Sequence, residues 1–290
     1  MRLLSFSHHG RRSVGAELDP SHVLDFHLAN SRFPAGMREL LEMGEEALEL
    51  CGRLLQAAPR GAILHKRELQ VLSPLSPEER PKVFCIGLNY ADHAAESGSK
   101  VPEDPLVFSK FFTALAGPGD LIPYPPDCSA LDYETELVVV IGKRAKCVPE
   151  EEAYSYVAGY TCGNDLSERL LQRKDSQWLR AKSSDCFAPT GPVIVTRDEI
   201  PDPHGLALGT RVNREVRQNS STRQIIFKVP RLVEFISTYI TLDPGDLIFT
   251  GTPPGVGFAM KPPQWLKPGD QVEVWVEKIG SITNTVVDAG

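Results

Sequence analysis

The sequence predicts a mainly β protein of the α+β class, in which helices are accessory to the strands. The tripeptide Pro-Gly-Asp occurs at 118–120, 244–246 and 268–270, and each copy leads into an apolar or alternating run. Proline sets φ for the second position of a turn, and glycine supplies the positive φ that a type II turn needs at the third. Each copy therefore marks a turn followed by a strand. Helical periodicity is confined to short segments, which favours a mainly antiparallel, closed or rolled sheet.

The first eighty residues are expected to form a small α+β domain. Leu3–Phe6 and Ser13–Leu18 flank a glycine-containing turn and predict a hairpin. From Pro34 onward, apolar residues recur at three- and four-residue spacing, which predicts one amphipathic helix through about Leu55. The run 72–81 is rich in proline and charge and predicts a linker. We therefore expect an N-terminal domain with its linker at 1–80 and a larger domain at 81–290.

Beyond residue 81 the sequence predicts strands separated by short helices. Besides the strands that follow Pro-Gly-Asp, the expected strands are Val83–Gly87, Leu137–Ile141, Val157–Cys162, Val193–Val195 and Ala207–Val212. The expected helices are Tyr90–Glu96, Glu151–Tyr156, part of Ser167–Lys182, and Pro230–Thr238.

Composition excludes two broad classes of function. With 31 basic and 38 acidic side chains the formal charge is −7, which opposes binding to nucleic acid. No apolar run approaches the roughly 20 residues of a membrane span, and the N-terminus lacks the features of a secretory signal. The six cysteines are scattered without zinc-site spacing and are expected to be reduced thiols. We expect a cytoplasmic protein, with a mitochondrial location as the alternative.

Three carboxylates at predicted strand ends indicate a metal site. Glu134 and Glu136 are two apart at the start of an apolar run, so they share one face and repel each other unless a cation lies between them. Asp165 follows the apolar run that begins at Val157. Three carboxylates without histidine or thiol suit Mg²⁺ or Mn²⁺ rather than zinc. The alternatives are a solvated strand end for the glutamates and a helix N-cap for Asp165.

Two further motifs indicate chemistry. His93 and Glu96 are three residues apart on a predicted helix, so the glutamate can orient the imidazole for taking a proton from water. The alternative is an incidental ion pair on an exposed helix. The glycine-rich loop Thr250–Gly257 lacks the features of a nucleotide-binding loop. Its amides and hydroxyls can hold a carboxylate, although an irregular turn is the alternative.

Several segments, taken together and in their order along the chain, resemble the fumarylacetoacetate hydrolase superfamily. Within it they resemble the small fumarylacetoacetate hydrolase domain-containing proteins. The resemblance spans about residues 81 to 285. The tail from Lys261 resembles the second branch of the fumarylacetoacetate hydrolase domain-containing proteins. The matching segments are Gly87–His93, Glu134–Glu136, Asn164–Arg169, Trp178–Asp185, Gly191–Pro192, Arg211–Asn213 and Thr250–Gly257.

The resemblance implies a β-roll catalytic domain, commonly a homodimer, with Mg²⁺ or Mn²⁺ on the three carboxylates. It also implies that the pair His93 and Glu96 activates water and that Lys182 acts on the substrate. Arg169, Gln172 and Thr252 match substrate-contacting positions.

The chain departs from the family pattern at two places. It has Glu168 and Leu170 around the arginine where many relatives have alanine and aspartate, and Ser184 where relatives tend to have phenylalanine. Both departures are expected to change substrate specificity rather than metal binding.

These groups suit a 2-oxo acid that reacts through an enolate held by the ion. Hydrolytic carbon–carbon cleavage of an acylpyruvate-type substrate, a 1,3-diketo acid, is the first hypothesis. Tautomerisation or decarboxylation of oxaloacetate uses the same cation without attacking water and is the alternative. A catalytically idle dimer that binds a dicarboxylate is the alternative from another class.

Overall fold

The computed structural model describes residues 1–97 and 100–289, and strands dominate it. The helices are α1 (Phe26–Ala29), α2 (Met37–Glu42), α3 (Glu45–Ala57), α4 (Ala91–Ser97), α5 (Arg169–Lys174), α6 (Leu179–Lys182) and α7 (Val229–Tyr239). The strands are β1 (Arg2–His8), β2 (Arg11–Glu17), β3 (His22–Asp25), β4 (Ile63–His65), β5 (Gln70–Val71), β6 (Val83–Gly87), β7 (Leu106–Lys110), β8 (Leu115–Ala116), β9 (Leu121–Tyr124), β10 (Leu131–Asp132), β11 (Thr135–Ile141), β12 (Val157–Asn164), β13 (Ser167–Glu168), β14 (Ala188–Thr196), β15 (Ala207–Val212), β16 (Glu215–Ser221), β17 (Leu247–Phe249), β18 (Gln271–Val276) and β19 (Gly280–Asp288).

Two large sheets carry the fold. A 12-stranded sheet runs in the order β4-β3-β2-β1-β14-β12-β11-β17-β6-β7, with β5 beside β1 and β8 beside β14. A 5-stranded sheet runs β16-β15-β18-β19-β9 and packs against β11, β12 and β14. Most strand pairs are antiparallel, which confirms the predicted mainly β, α+β class. Within the described residues, no helix has the length and apolar character needed to cross a bilayer.

The three Pro-Gly-Asp turns share one geometry. Their glycines, Gly119, Gly245 and Gly269, have φ of +82°, +85° and +95°. In each copy the aspartate carboxylate accepts a hydrogen bond from the backbone N–H three residues earlier, and the aspartate N–H donates back to that residue's carbonyl. The strands β9, β17 and β18 begin one residue later, as the sequence predicts.

The N-terminal segment is joined directly to the central sheet. The predicted hairpin forms as β1 and β2, and β1 also pairs with β14 at Leu3 and Ile194. The proline-rich run is packed rather than solvated, because residues 73–76 are buried and the Ser73 hydroxyl lies 2.7 Å from that of Thr190. The division into two domains near residue 80 stays a prediction.

Two predicted helices differ from the structure. The single helix expected from Pro34 onward is divided into α2 and α3 at Gly44, whose φ of +79° a right-handed helix does not allow. Glu150–Tyr156 is a 3₁₀ helix rather than an α-helix. The helix expected at Pro230–Thr238 is confirmed as α7.

Strand pairing brings the candidate residues to one edge of the central sheet. β11 and β12 are antiparallel, with Glu136 opposite Gly163, so the start of β11 lies beside the end of β12. β17 flanks β11 on its other side and ends where the glycine-rich loop begins. β6 runs parallel to β17 and leads to α4.

Candidate metal-dependent active site

The three predicted carboxylates converge. Glu134, Glu136 and Asp165 each offer an oxygen, and these oxygens lie within 4.8 Å of one another. All three residues are buried. The junction of the two strands holds them, since the Asp165 N–H donates to the Glu134 carbonyl at 2.9 Å and the Glu134 N–H donates to the Asn164 side chain at 3.0 Å. The frayed, solvated strand end is therefore wrong for these glutamates.

Buried cations surround two of the three carboxylates. Lys182 Nζ donates to Glu134 Oε2 and to Asp165 Oδ2, both at 2.7 Å. Arg169 Nη2 donates to Glu134 Oε1 at 2.6 Å. Sequence reasoning missed Lys110, whose Nζ donates to Asp165 Oδ1 and, at 3.0 Å, to the Leu166 carbonyl. Its only sequence signal is a charged residue that follows the short run Leu106–Phe108 and Ser109.

The electrostatics differ sharply between the two glutamates. Burial acts to raise the pKa of Glu134, but the charges of Arg169 and Lys182 outweigh it and lower this pKa well below its usual range. Burial raises the pKa of Glu136 well above its usual range, and the charges of Asp165 and Glu134 add to the rise. The described contact of Glu136 is a neutral one, from the Gly251 N–H at 2.7 Å.

The donor set fits a hard divalent cation. All three groups present carboxylate oxygens, the ligands that Mg²⁺ and Mn²⁺ prefer. A dication beside Glu136 also removes the repulsion that raises the pKa of this group, because an opposite charge within a few ångströms favours the ionised form.

Ion binding is expected to release a proton from Glu136. The pKa of Glu136 in the folded protein exceeds its ordinary value of 4.5. The stability that this group contributes is therefore present below pH 4.5 and is lost as the pH rises through the folded pKa. The ion needs the ionised form, so Mg²⁺ affinity should rise with pH. Calorimetric titration in two buffers of different ionisation enthalpy measures the released proton. Glu136→Gln should abolish the release, and equal release by variant and natural protein would contradict the assignment.

The glycine loop, defined here as Thr250–Phe258, holds carboxylates of the protein itself. Its amides at Gly251, Gly255 and Gly257 donate to three different side chains. The acceptors are Glu136 at 2.7 Å, Glu96 at 3.1 Å and Asp132 at 2.7 Å. The loop therefore connects carboxylates from separate parts of the chain through its backbone amides.

The predicted histidine–glutamate pair forms on α4. His93 Nδ1 lies 3.2 Å from Glu96 Oε2, and the imidazole is buried. The His93 ring meets the Phe258 ring edge to face, with centroids 6.1 Å apart. Since Glu96 also accepts the Gly255 N–H, the pair docks on the glycine loop.

The predicted substrate-binding residues have defined partners. Arg169 Nη1 donates to Gln172 Oε1 at 2.9 Å, so these two residues lie together beside the cluster. The Thr252 hydroxyl donates to the Thr135 carbonyl at 3.0 Å and accepts from Gln218 at 2.9 Å, so its proton is engaged within the protein. Contact of all three with substrate stays a prediction.

One departure from the family pattern has a structural explanation. The Glu168 carboxylate caps α5 by accepting the Leu171 N–H, and it also accepts the Ala130 N–H at 3.1 Å. It is therefore directed to backbone amides rather than to Arg169. Leu170 is half exposed.

Aromatic rings line the cluster, and sequence reasoning missed them. The Phe108 ring lies 5.1 Å from Lys182 Nζ and meets Trp178 in a T-shaped contact at 5.2 Å. The Phe258 ring lies 4.8 Å from the Arg169 guanidinium. Such rings favour the charged forms of lysine and arginine.

Residues 82–287 match the sequence model of the fumarylacetoacetate (FAA) hydrolase C-terminal family. The chain therefore belongs to the fumarylacetoacetate hydrolase family, and it is an enzyme of that family by fold and relationship. This confirms the resemblance noted in the sequence.

Curated relatives match almost the whole chain. The chain is 42% identical over 292 residues to "Oxaloacetate tautomerase fahd2, mitochondrial" of Xenopus laevis, covering 99% of this chain and 90% of that protein. It is 43% identical over 292 residues to "Oxaloacetate tautomerase FAHD2A, mitochondrial" of Bos taurus, covering 99% and 92%.

Solved structures support the same fold. A fumarylacetoacetate hydrolase from Exiguobacterium antarcticum is 35% identical with a TM-score of 0.86, covering 99% of each chain. A maleylpyruvate hydrolase from a Sphingobium species, in complex with manganese and pyruvate, is 27% identical with a TM-score of 0.81, covering 100% of each chain.

Proposed function

We propose that this chain is a divalent-metal-dependent tautomerase that interconverts the keto and enol forms of oxaloacetate. The observation that carries the proposal is the Lys182 ammonium at 2.7 Å from two of the three clustered carboxylates. This supports the proposal, because a fixed positive group beside the cluster can stabilise the negative charge that develops during enolisation. The relatives named above favour this alternative over the hydrolysis that the sequence analysis placed first.

Glu134, Glu136 and Asp165 would hold the ion. When bound, Mg²⁺ or Mn²⁺ acts as a Lewis acid on a 2-oxo acid and makes the neighbouring carbon more acidic. Arg169 and Gln172 bind a substrate carboxylate and set its orientation. Lys182 stabilises the negative charge on the C2 oxygen as the C3–H bond breaks.

His93 moves the proton. Glu96 contacts Nδ1 at 3.2 Å, and in this proposal Nε2 performs the acid–base function. This nitrogen takes the proton from C3 as a double bond forms between C2 and C3. The protonated imidazole then gives this proton, directly or through water, to the C2 oxygen, so the base is regenerated and nothing else is consumed or released. The reverse path returns the proton to C3.

Hydrolysis of an acylpyruvate-type substrate is the second candidate. It is supported by the same His93 and Glu96 pair, because a base within reach of water is needed for attack on a distal carbonyl. The manganese- and pyruvate-bound hydrolase shares the fold. Decarboxylation of oxaloacetate requires the groups that stabilise the enolate, the ion and Lys182, but not the base formed by His93 and Glu96.

One preparation with Mg²⁺ or Mn²⁺ separates these activities. We expect keto–enol interconversion of oxaloacetate, followed by absorbance, to exceed the rate with the ion alone. Pyruvate release from oxaloacetate and cleavage of acetylpyruvate are measured in parallel. Cleavage as the fastest reaction would favour the hydrolase, and all three rates at the background level would favour the idle binding dimer.

His93→Ala tests the role of the base. We expect turnover to fall by about 100-fold or more, the usual contribution of a positioned base. Mg²⁺ affinity should stay within about two-fold, since His93 is outside the carboxylate cluster. Glu96→Gln, which keeps the shape but removes the charge, should show a smaller loss in the same direction. Unchanged turnover in both variants would contradict this role.

The location and assembly stay predictions. The relatives named above are mitochondrial by name. The cytoplasmic or mitochondrial location and the homodimer expected from the sequence are proposals for this chain.

A further inference from the structure

Asp132 lies two residues before Glu134 and outside the predicted set of site residues. It is fully buried, with no exposed surface. Its Oδ1 accepts hydrogen bonds from the backbone N–H groups of Tyr133 at 2.9 Å and Gly257 at 2.7 Å. Its Oδ2 accepts from the Phe258 N–H at 3.1 Å and from Arg169 Nε at 2.8 Å. This carboxylate therefore joins the glycine loop to Arg169.

On the loop side, Asp132 faces the elements that receive α4. The Gly255 N–H donates to Glu96, and the Phe258 ring contacts the His93 ring. Gly257 is required for this approach, because a Cβ there would lie 2.7 Å from Asp132 Oδ1 and 2.1 Å from the Gln264 carbonyl oxygen. A side chain at this position would displace the amide from the carboxylate.

On the other side, Asp132 sets the plane of a guanidinium. Arg169 Nε is held by Asp132 and its Nη2 by Glu134, which fixes two corners of a rigid planar group. The position of Nη1, which is bonded to Gln172, is then fixed by the plane of the group. An arginine without Asp132 keeps its charge but loses this orientation.

We propose that Asp132 is a positioning residue that couples the docking of α4 on the glycine loop to the orientation of Arg169. The inference rests on the proposed function, in which Arg169 and Gln172 bind the substrate carboxylate. Asp132 touches neither substrate nor ion in this arrangement. It acts through the arginine and through the loop amides at Gly257 and Phe258.

Asp132→Asn tests the link to the arginine. Asparagine keeps one acceptor oxygen and replaces the other with an amide that opposes Arg169 Nε. We expect KM for oxaloacetate to rise by about 10-fold or more, with kcat within about three-fold, because binding rather than chemistry is weakened. In the double variant with Arg169→Lys, Asp132→Asn should add no further loss. Fully additive losses would overturn the proposal.

Two further measurements keep the test decisive. Gly257→Ala attacks the same link from the loop and should raise KM in the same way, although Asp132 and Arg169 are intact. Gly61→Ala, at a glycine with no atom within 4 Å of an added Cβ, is the matched control and should leave KM unchanged. A KM unaltered in Gly257→Ala would overturn the coupling.

Amide hydrogen exchange tests the link without activity. In Asp132→Asn the amides of Gly257 and Phe258 should exchange faster than in the natural protein, while those of β15 stay protected. Unchanged exchange at the two loop amides would overturn the proposal. If the natural protein shows no turnover of oxaloacetate, the proposed function fails, and the exchange result still decides whether Asp132 holds the loop.

Discussion

Asp165→Ala is expected to weaken Mg²⁺ binding by more than about 100-fold, beyond the 10- to 100-fold cost of changes around a metal site. The change removes one of three clustered carboxylates and its charge. It also leaves Lys110 and Lys182 with less negative charge around them, so the cluster repels a dication. Calorimetric titration measures the affinity, and oxaloacetate turnover should fall with it.

Two variants make this result interpretable. Asp165→Asn keeps an oxygen that accepts a hydrogen bond from a lysine, so it preserves the fold better while still losing the charge. Glu168→Ala removes another buried carboxylate three residues away, one that bonds to backbone amides instead of facing the cluster. We expect Glu168→Ala to cost stability but not Mg²⁺ affinity. Equal affinity in Asp165→Asn and the natural protein would refute the ion site.

Lys182→Met is expected to have the second large effect, on both stability and rate. It leaves Glu134 and Asp165 without the ammonium that lies 2.7 Å from each, and breaking a buried pair costs about 3–5 kcal/mol. Denaturant unfolding without added ion measures this loss. Added Mg²⁺ should stabilise the variant more than the natural protein, because the ion supplies the missing charge. We expect kcat to fall by about 100- to 1,000-fold.

Lys110→Met is the matched control for Lys182→Met. Both lysines are buried and both bond to Asp165, but the described contacts of Lys110 are with Asp165 and the Leu166 carbonyl and do not include Glu134. We expect a comparable loss of stability with kcat reduced by less than about 10-fold, because the proposed mechanism gives Lys110 no contact with the substrate. Equal losses of kcat in the two variants would show that Lys182 acts only through the net charge of the cluster.

Local rules were sufficient for several features. The Pro-Gly-Asp turns follow from the φ preferences of two residues, and their glycines have the expected positive φ. The side chains of Glu134 and Glu136 share one face because a strand has a period of two. His93 and Glu96 meet because a helix brings residues three apart together. The single helix expected from Pro34 was wrong, since its periodicity continues across Gly44 while the backbone does not.

Other features depend on long-range contacts. Lys110 and Asp165 are separated by 55 residues, and Asp132 and Gly257 by 125. No local pattern indicates that the lysine at the end of β7 is directed into a carboxylate cluster. The same holds for the loop amides, because a glycine-rich sequence does not indicate which groups its N–H bonds will meet.

The sequence by itself determined the kinds of groups in the site and the fold class. Turn chemistry, strand periodicity and charge are properties of near neighbours along the chain, and they identified three carboxylates, a histidine–glutamate pair and a mainly β fold. Only the tertiary structure decided how these groups are charged and held. A buried carboxylate's pKa depends on which cations strand pairing brings within a few ångströms. For this reason the pKa of Glu134 is lowered while that of Glu136, two residues away, is raised.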